Sequence, residues 1–192
     1  MGTTQPIKNI KDIQRLKAYF LERQEYRNYA MVTLALNTSL RIGDLLHLKW
    51  GDVYNFNRKK YRKHIELIEQ KTHKHNAMPI NSEARKALEM LRRANKHLTE
   101  ESYIFKSRRG QNSPIGRIQA FNIIRNAVRY LEIDGRISCH SLRKTFGYQA
   151  WKRGVPPALI MSIYNHSSIE ITKRYLSIDQ DDKDEVFMAL NL

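Results

Sequence analysis

The first part of the chain carries its hydrophobic residues at helical spacing. Apolar side chains recur three and four positions apart over Lys11–Gln24 and again over Tyr26–Leu36, which predicts two helices. The polar stretch that begins at Thr38 predicts a turn, and this turn leads into a short helix that ends near Leu48. The chain is therefore expected to open with helices alone.

The pattern changes between Val53 and Ile80. Tyr61 and the apolar residues that follow it stand in a stretch rich in β-formers, which predicts strands in place of helices. We expect a small three-stranded antiparallel sheet with its tight turn near residues 73–76. Lys71 then lies at a strand end or in the hairpin.

Helical spacing returns after residue 81 and continues to the end of the chain. Helices are predicted over Ser82–His97, Ile115–Leu131, Ser141–Arg153, Pro157–Tyr164 and Ser168–Leu176, with a short buried segment at Tyr103–Phe105 and a basic loop at Ser107–Pro114. The spacing of Val186, Phe187 and Leu190 predicts one more short helix with an apolar side. The predicted fold class is mainly α with a small antiparallel β-sheet.

The charge of the chain indicates a polyanionic partner. Among 192 residues, 34 Lys and Arg face 19 Asp and Glu, giving a formal net charge of +15 that is spread over the whole sequence. Nucleic acid is the leading candidate. A membrane surface fits less well, since the sequence contains no apolar run of transmembrane length and no signal peptide. We expect a soluble cytoplasmic protein.

The single cysteine, Cys139, has no cysteine partner for an internal disulfide or a cysteine-rich zinc site. It is interpreted as a small packed residue. An acidic run at residues 181–184 is interpreted as a solvated helix start, and not as a cation site. The composition therefore gives no reason to expect a metal.

Three short patterns carry possible chemistry, and each is weak alone. His140 and Arg143 form a His-x-x-Arg motif at a predicted helix start, where the spacing places both side chains on one face. Arg41 stands three residues before Asp44, and His166 stands nine residues before Tyr175. An isolated arginine, histidine or tyrosine is more often structural than catalytic. The order of all of them along the chain is far more specific.

This ordered set resembles the tyrosine recombinase family, which includes phage integrases, Xer recombinases and fimbrial invertases. The family carries, in order, Arg, Lys, His-x-x-Arg, His or Trp, and Tyr. The matching residues here are Arg41, Lys71, His140, Arg143, His166 and Tyr175. The resemblance extends from about Thr38 to Tyr175. It implies the mainly helical recombinase catalytic domain, with an active site in a basic cleft.

Three details of the match differ from the usual pattern or leave a choice. Ser39 and Asn165 stand where the family usually has Gly, although both are small polar residues that tolerate turns. Lys74 also lies beside the hairpin turn. We prefer Lys71, because the sequence around it and Thr72 is similar to the lysine-threonine hairpins of lambda-like integrases.

Phosphodiester chemistry explains why such residues are needed. Arginine forks match phosphate oxygens and stay charged, so Arg41 and Arg143 suit the neutralisation of a scissile phosphate. A tyrosine phosphodiester conserves the bond energy, so Tyr175 can cleave and rejoin DNA without ATP, and no metal or other cofactor is needed.

The resemblance implies the remaining roles. It makes Lys71 the general acid and His140 the base, while His166 hydrogen bonds to the scissile phosphate. Asp44 would orient the arginine and histidine cluster from behind. The implied function is site-specific recombination of double-stranded DNA through a 3′-phosphotyrosine intermediate, in a homotetramer on paired sites, with DNA-bending or directionality factors as further possible partners.

Several alternatives stay open at this point. A non-cleaving DNA-binding accessory protein with the same fold and a type IB topoisomerase-like enzyme are the rival functions. We expect residues 1–192 to form a single catalytic domain with no N-terminal core-binding domain, either as part of a longer integrase or as a short single-domain member. Residues 177–192 form a tail that docks on a neighbouring protomer or packs on its own domain.

Overall fold

The computed structural model describes residues 4–178 and 180–190, and within them the chain forms ten helices and four strands. The helices are α1 (Ile10–Glu22), α2 (Tyr26–Thr38), α3 (Ile42–Leu46), α4 (Trp50–Val53), α5 (Ser82–Arg93), α6 (Arg117–Tyr130), α7 (Cys139–Lys152), α8 (Pro157–Tyr164), α9 (Ile169–Leu176) and α10 (Gln180–Ala189). The strands are β1 (Tyr54–Asn55), β2 (Lys60–Tyr61), β3 (His64–Ile68) and β4 (His75–Pro79). The predicted fold class, mainly α with small antiparallel pairing, is confirmed.

Helix α2 lies at the centre of the main core. Every residue from Tyr29 to Ala35 is buried, because this helix is apolar on nearly all sides and packs against α1, α5 and α7. Its C-terminal end leads directly into Ser39 and Arg41. The turn that contains Ser39 and Arg41 is therefore anchored directly to the most buried helix of the fold.

The strands pair differently from the prediction. β1 pairs only with β2 and β3 pairs only with β4 in the described part of the chain, so two two-stranded antiparallel sheets replace the expected three-stranded one. The segment 58–63 contains five Lys or Arg residues and Tyr61, so it offers almost no apolar face for a longer strand. Pairing stops after two residues there, and the chain turns before β3 begins.

The predicted helix ends differ from the observed ones by a few residues. Asn81, and not Ser82, caps α5, since its side chain accepts a hydrogen bond from the Ala84 backbone. That helix ends at Arg93, short of His97. Ser138 caps α7, so His140 lies in the first helical turn, which suits a residue that faces a site at a helix start.

The C-terminal helices form a second, smaller core. Ile160, Tyr164 and Leu176 are buried there, and the Tyr175 ring packs against them. The buried Asp182 of α10 accepts hydrogen bonds from Tyr148 and Lys8, so this helix contacts both α7 and the N-terminal segment.

The apolar residues predicted for the tail lie only partly within the described structure. Phe187 and Leu190 are exposed, as is Met188 beside them, whereas the Val186 side chain lies outside the described residues. None of the described helices is both long enough and apolar enough to span a bilayer.

Candidate active site

The turn after α2 places the first arginine. Ser39 ends the helix in the left-handed region at φ 54°, and Arg41 then caps α3 in an extended conformation. The Ser39 carbonyl accepts a hydrogen bond from a guanidinium nitrogen of Arg143. One tight turn thus positions Arg41 and, through the Ser39 carbonyl, also binds the Arg143 side chain.

Arg143 lies deep in the structure on α7. Its side chain is buried, and its guanidinium carbon stands 4.8 Å from the centre of the Tyr164 ring. The Tyr164 hydroxyl donates to the Arg143 carbonyl at 2.6 Å. Tyr164 of α8 therefore contacts both the backbone and the side chain of Arg143, and these two contacts fix the position of Arg143.

His140, His166 and Tyr175 meet at one point, although they come from three segments. The Tyr175 ring centre lies 5.1 Å from that of His140 and 4.9 Å from that of His166. Asn165 brings His166 there through a left-handed turn at φ 56°, and Thr172 lies 3.0 Å from the His166 Nδ1. The His-x-x-Arg motif and the His-to-Tyr spacing therefore converge.

The Tyr175 hydroxyl is buried and has no well-formed hydrogen bond within the described part of the chain. Burial raises the pKa of this phenol, and the charges of Arg143 and Arg41 partly oppose that rise. A phenol with a raised pKa stays protonated at neutral pH. It needs both a base and an incoming phosphate before it can act as a nucleophile.

Both histidines are biased toward their neutral form. Burial, together with the charges of Lys144, Arg143, Arg41 and Lys71, lowers the pKa of His140 to about 4. Burial also lowers the pKa of His166, with Arg143 and Arg41 acting in the same direction. A neutral imidazole is free to accept a proton, as a general base must, while the lowered pKa also makes it a weaker base.

Lys71 lies in the exposed turn between β3 and β4. The hairpin reaches the same site through Glu69, whose carboxylate accepts hydrogen bonds from Arg41 and from Thr72 beside Lys71. The charge of Lys71 also adds to the lowering of the His140 pKa. The six residues of the ordered set therefore come together around one region of the surface.

Asp44 makes a different contact from the one predicted. Its Oδ1 accepts from the Gln70 backbone at 3.0 Å, while its buried Oδ2 has no partner among the residues described. The hydrogen bond that it makes is thus to the hairpin beside Lys71, and not to the arginines or histidines.

Glu69 is a residue of this site that the sequence interpretation missed. Its carboxylate is buried and lies 2.5 Å from Arg41 Nη1. The signal was present in the strand alternation, because Ile65 and Leu67 point inward and Glu69 continues that phase. An acidic residue in the inward phase of a strand requires a cationic or hydrogen-bonding partner.

The site contains no group of three or more His, Cys, Asp or Glu side chains that could hold a metal ion, nor does any other place in residues 4–178 and 180–190. The basic side chains here are instead suited to an anion.

Sequence comparison assigns the chain to a family. The model of the phage integrase family matches residues 8–181, which is nearly the whole chain. The chain belongs to the phage integrase family. It is a tyrosine-type site-specific recombinase, as the ordered residues indicated.

Three relatives of this integrase show its extent and fold. It is 37% identical over 185 residues to the probable integrase/recombinase YoeC of Bacillus subtilis (strain 168), covering 94% of this chain and 93% of YoeC. The crystal structure of XerA recombinase superimposes with a TM-score of 0.77 at 22% identity, over all of this chain and 67% of XerA. XerH bound to a palindromic difH substrate, in a post-cleavage complex, superimposes with a TM-score of 0.73 at 16% identity. That match covers 97% of this chain and 53% of XerH.

Proposed function

We propose that Tyr175 attacks a DNA phosphate held by Arg41 and Arg143. The phenolic oxygen forms a bond to phosphorus, the bond to the 5′ oxygen breaks, and a 3′-phosphotyrosine remains with a free 5′ hydroxyl. The observation that carries this proposal is the meeting of the Tyr175, His140 and His166 rings beside the two guanidiniums. Attack by the 5′ hydroxyl of a partner strand reverses the step, so no external energy source is needed.

The proton movements follow from the pKa shifts and the family roles. His140, which is neutral at physiological pH, accepts the proton of the Tyr175 hydroxyl. Lys71, in its exposed turn, gives a proton to the departing 5′ oxygen. His166 donates a hydrogen bond to a non-bridging oxygen of the same phosphate, and Asp44 supports the hairpin that carries Lys71.

Double-stranded DNA is the partner that the charge and the surface favour. Helix α6 exposes Arg117, Ile118, Phe121 and Arg125. The Arg117 guanidinium lies 3.4 Å from the Gln70 side chain, next to the hairpin that carries Lys71. A duplex that places a phosphate in the site would thus run along this basic face. XerH, which shares the fold, has been crystallised with its DNA substrate.

Two strand exchanges need four nucleophiles on two duplexes, so we propose that a homotetramer carries out the reaction. The tail formed by residues 177–192 begins by packing on its own domain through Asp182. We propose that its end docks on a neighbouring protomer, because Phe187, Met188 and Leu190 are exposed apolar side chains. The buried free thiol of Cys139 fits a cytoplasmic setting, where DNA is also found.

The nucleophile can be tested with a suicide duplex that carries a nick one nucleotide from the cleavage point. After cleavage, the short fragment that bears the free 5′ hydroxyl diffuses away, so the adduct cannot be rejoined. The native chain should form a protein–DNA adduct that survives denaturant, and Tyr175→Phe should form none. Tyr130→Phe is the matched control, because Tyr130 is exposed on α6. Equal trapping by native protein and Tyr175→Phe would contradict the assignment.

The same assay separates the rival functions. Salt-dependent DNA binding without any adduct from the native chain would favour a non-cleaving accessory protein. Relaxation of supercoiled plasmid at no defined junction, without recombinant products, would favour a topoisomerase-like activity.

A further inference from the structure

Glu69 lies between two parts of the site that, in the proposed function, act on different oxygens of one phosphate. Arg41 belongs to the turn after α2 and, in the proposed function, binds the phosphate oxygens. Lys71 belongs to the β3–β4 hairpin and, in that function, protonates the leaving oxygen. These segments are separated in the chain and meet through the carboxylate of Glu69. A small shift between them would alter the alignment of the reacting groups.

The contacts of Glu69 are numerous for a single side chain. Oε2 accepts from Arg41 Nη1 and from Thr72 Oγ1, each at 2.5 Å, and Oε1 accepts from Asn76 Nδ2 at 3.2 Å. Burial alone would raise the pKa of this carboxyl, but the hydrogen bonds from Thr72 and Arg41 and the charge of Arg41 outweigh it and keep the pKa low. Glu69 is therefore a stable carboxylate at neutral pH.

The backbone of Glu69 closes the turn that contains Lys71. Its N–H donates to the Lys74 carbonyl at 3.0 Å, and its carbonyl accepts from the His73 N–H at 2.9 Å. Side-chain and backbone bonds of one residue thus fix both ends of the five-residue turn 70–74, while the Lys71 side chain stays free to point outward. The Gln70 bond to Asp44 fastens the same turn to α3.

We propose that Glu69 is a positioning residue of the recombination reaction, which holds the Lys71 turn in register with Arg41. The inference rests on the proposed function of Lys71 and Arg41. A purely structural ion pair would stabilise the fold without favouring one chemical step. A positioning role predicts a specific defect in the protonation of the leaving 5′ oxygen.

The test uses two suicide duplexes that differ in one atom. One carries the natural 5′ oxygen at the cleavage point, and the other carries a bridging 5′ sulfur, which leaves as a thiolate and needs no proton because thiols are far more acidic than alcohols. For each variant the quantity measured is the ratio of the adduct-formation rates, sulfur over oxygen. This ratio does not depend on the fraction of protein that is correctly folded.

Glu69→Gln should slow adduct formation on the oxygen duplex on the order of 10²-fold and raise the sulfur-to-oxygen ratio by a similar factor. Lys71→Ala should raise the ratio in the same way. Arg143→Ala should lose activity on both duplexes, because it acts on the non-bridging oxygens. Glu89→Gln is the matched control, since Glu89 pairs with Arg92 and Arg93 away from the site, and its ratio should equal that of the native chain.

Glu69→Asp keeps the charge and should recover part of the rate, and it replaces the glutamine variant if that variant does not fold. A sulfur-to-oxygen ratio equal to that of the native chain in Glu69→Gln, or in Glu69→Asp when its adduct formation on the oxygen duplex is slowed, would overturn the positioning role. No adduct from the native chain on either duplex would overturn the proposed function, and this inference with it.

Discussion

Gly147 is the point at which the packing of the site is most sensitive to a single methyl group. It lies inside α7, on the side that faces Tyr164 and the end of α9. A Cβ at this position would lie 2.5 Å from the Tyr164 hydroxyl oxygen, 2.6 Å from Tyr164 Cε2 and 2.6 Å from Leu176 Cδ2. Tyr164 and Leu176 are both buried, so neither has free space into which it can move.

Gly147→Ala combines two opposed effects on the free energy of unfolding. Replacing Gly by Ala inside a helix stabilises by about 1 kcal/mol. Overpacking a well-filled core costs about 1–3 kcal/mol, and three contacts this short place the cost at the upper end. The expected net loss is about 1–2 kcal/mol, which lowers Tm by roughly 2–8 °C in a chain of this size.

The same substitution should impair cleavage more than it impairs folding. The methyl group pushes α8 and α9 away from α7. Because α9 carries Tyr175 and α7 carries His140 and Arg143, the nucleophile moves away from these two residues. A displacement of about 1 Å between reacting groups can cost about 10²-fold in rate. The assays are thermal unfolding and adduct formation on the suicide duplex, compared at a temperature where the variant is folded.

Gly116→Ala is the control, because nothing lies within 4 Å of a Cβ at that position. Gly116 is the N-cap of α6, so its replacement should change Tm by no more than the loss of an N-cap preference does, and the cleavage rate should not change. If Gly147→Ala were as stable as the native chain and cleaved at the same rate, the close packing of α7 on α8 and α9 would be refuted.

Three further predictions concern the turns, the pH dependence and the aromatic packing of the site. Ser39→Gly should raise Tm by an amount that corresponds to about 0.5–1 kcal/mol, because Ser39 has a positive φ that Gly adopts without strain. Asn165→Gly should raise Tm less, since Asn tolerates that region better. An unchanged or lower Tm for Ser39→Gly in thermal unfolding would contradict this. The lowered pKa of His140 keeps its imidazole neutral at pH 6.5 and somewhat below. The rate of adduct formation at subsaturating DNA should therefore fall on the acidic side only below pH 6.5. A midpoint of this fall at or above pH 6.5 would argue against His140 as the base. Tyr164→Phe removes the hydrogen bond to the Arg143 carbonyl and should cost about 1 kcal/mol in denaturant unfolding, whereas no measurable loss would mean that this bond does not help to anchor α8.

The helical part of the fold and the ordered residues were accessible from sequence for a local reason. His140 and Arg143 lie one helical turn apart, and Tyr175 follows His166 across a single turn and helix, so spacing alone determines their relative directions. The convergence of these pairs depends on long-range packing of α7 against α8 and α9, which no window of sequence contains. It was inferred through the resemblance and not through periodicity.

The sheet and the support of Arg41 were harder to predict. Pairing of short strands depends on which neighbour is within reach, and the charged segment 58–63 gives little local indication of its partner, so the three-stranded prediction was wrong. Glu69 and Arg41 are 28 positions apart, and only the inward phase of β3 hints at their contact. Ser39 and Asn165 were expected only to tolerate turns, and both have a positive φ at positions where the family usually has Gly.

The way in which the two arginines are held bears on how the site becomes active. One nitrogen of Arg41 bonds the Glu69 carboxylate, and one nitrogen of Arg143 bonds the Ser39 carbonyl, while each guanidinium has further N–H donors for a phosphate. Because protein groups hold both forks, less reorganisation is needed when charge develops on the phosphate. The nucleophile is in the opposite condition: burial raises the pKa of the Tyr175 phenol, and its hydroxyl has no well-formed hydrogen bond in the described residues. An arriving phosphate engages the arginines and supplies an acceptor for the hydroxyl, so the attack is coupled to correct placement of DNA and the free enzyme keeps its nucleophile protonated.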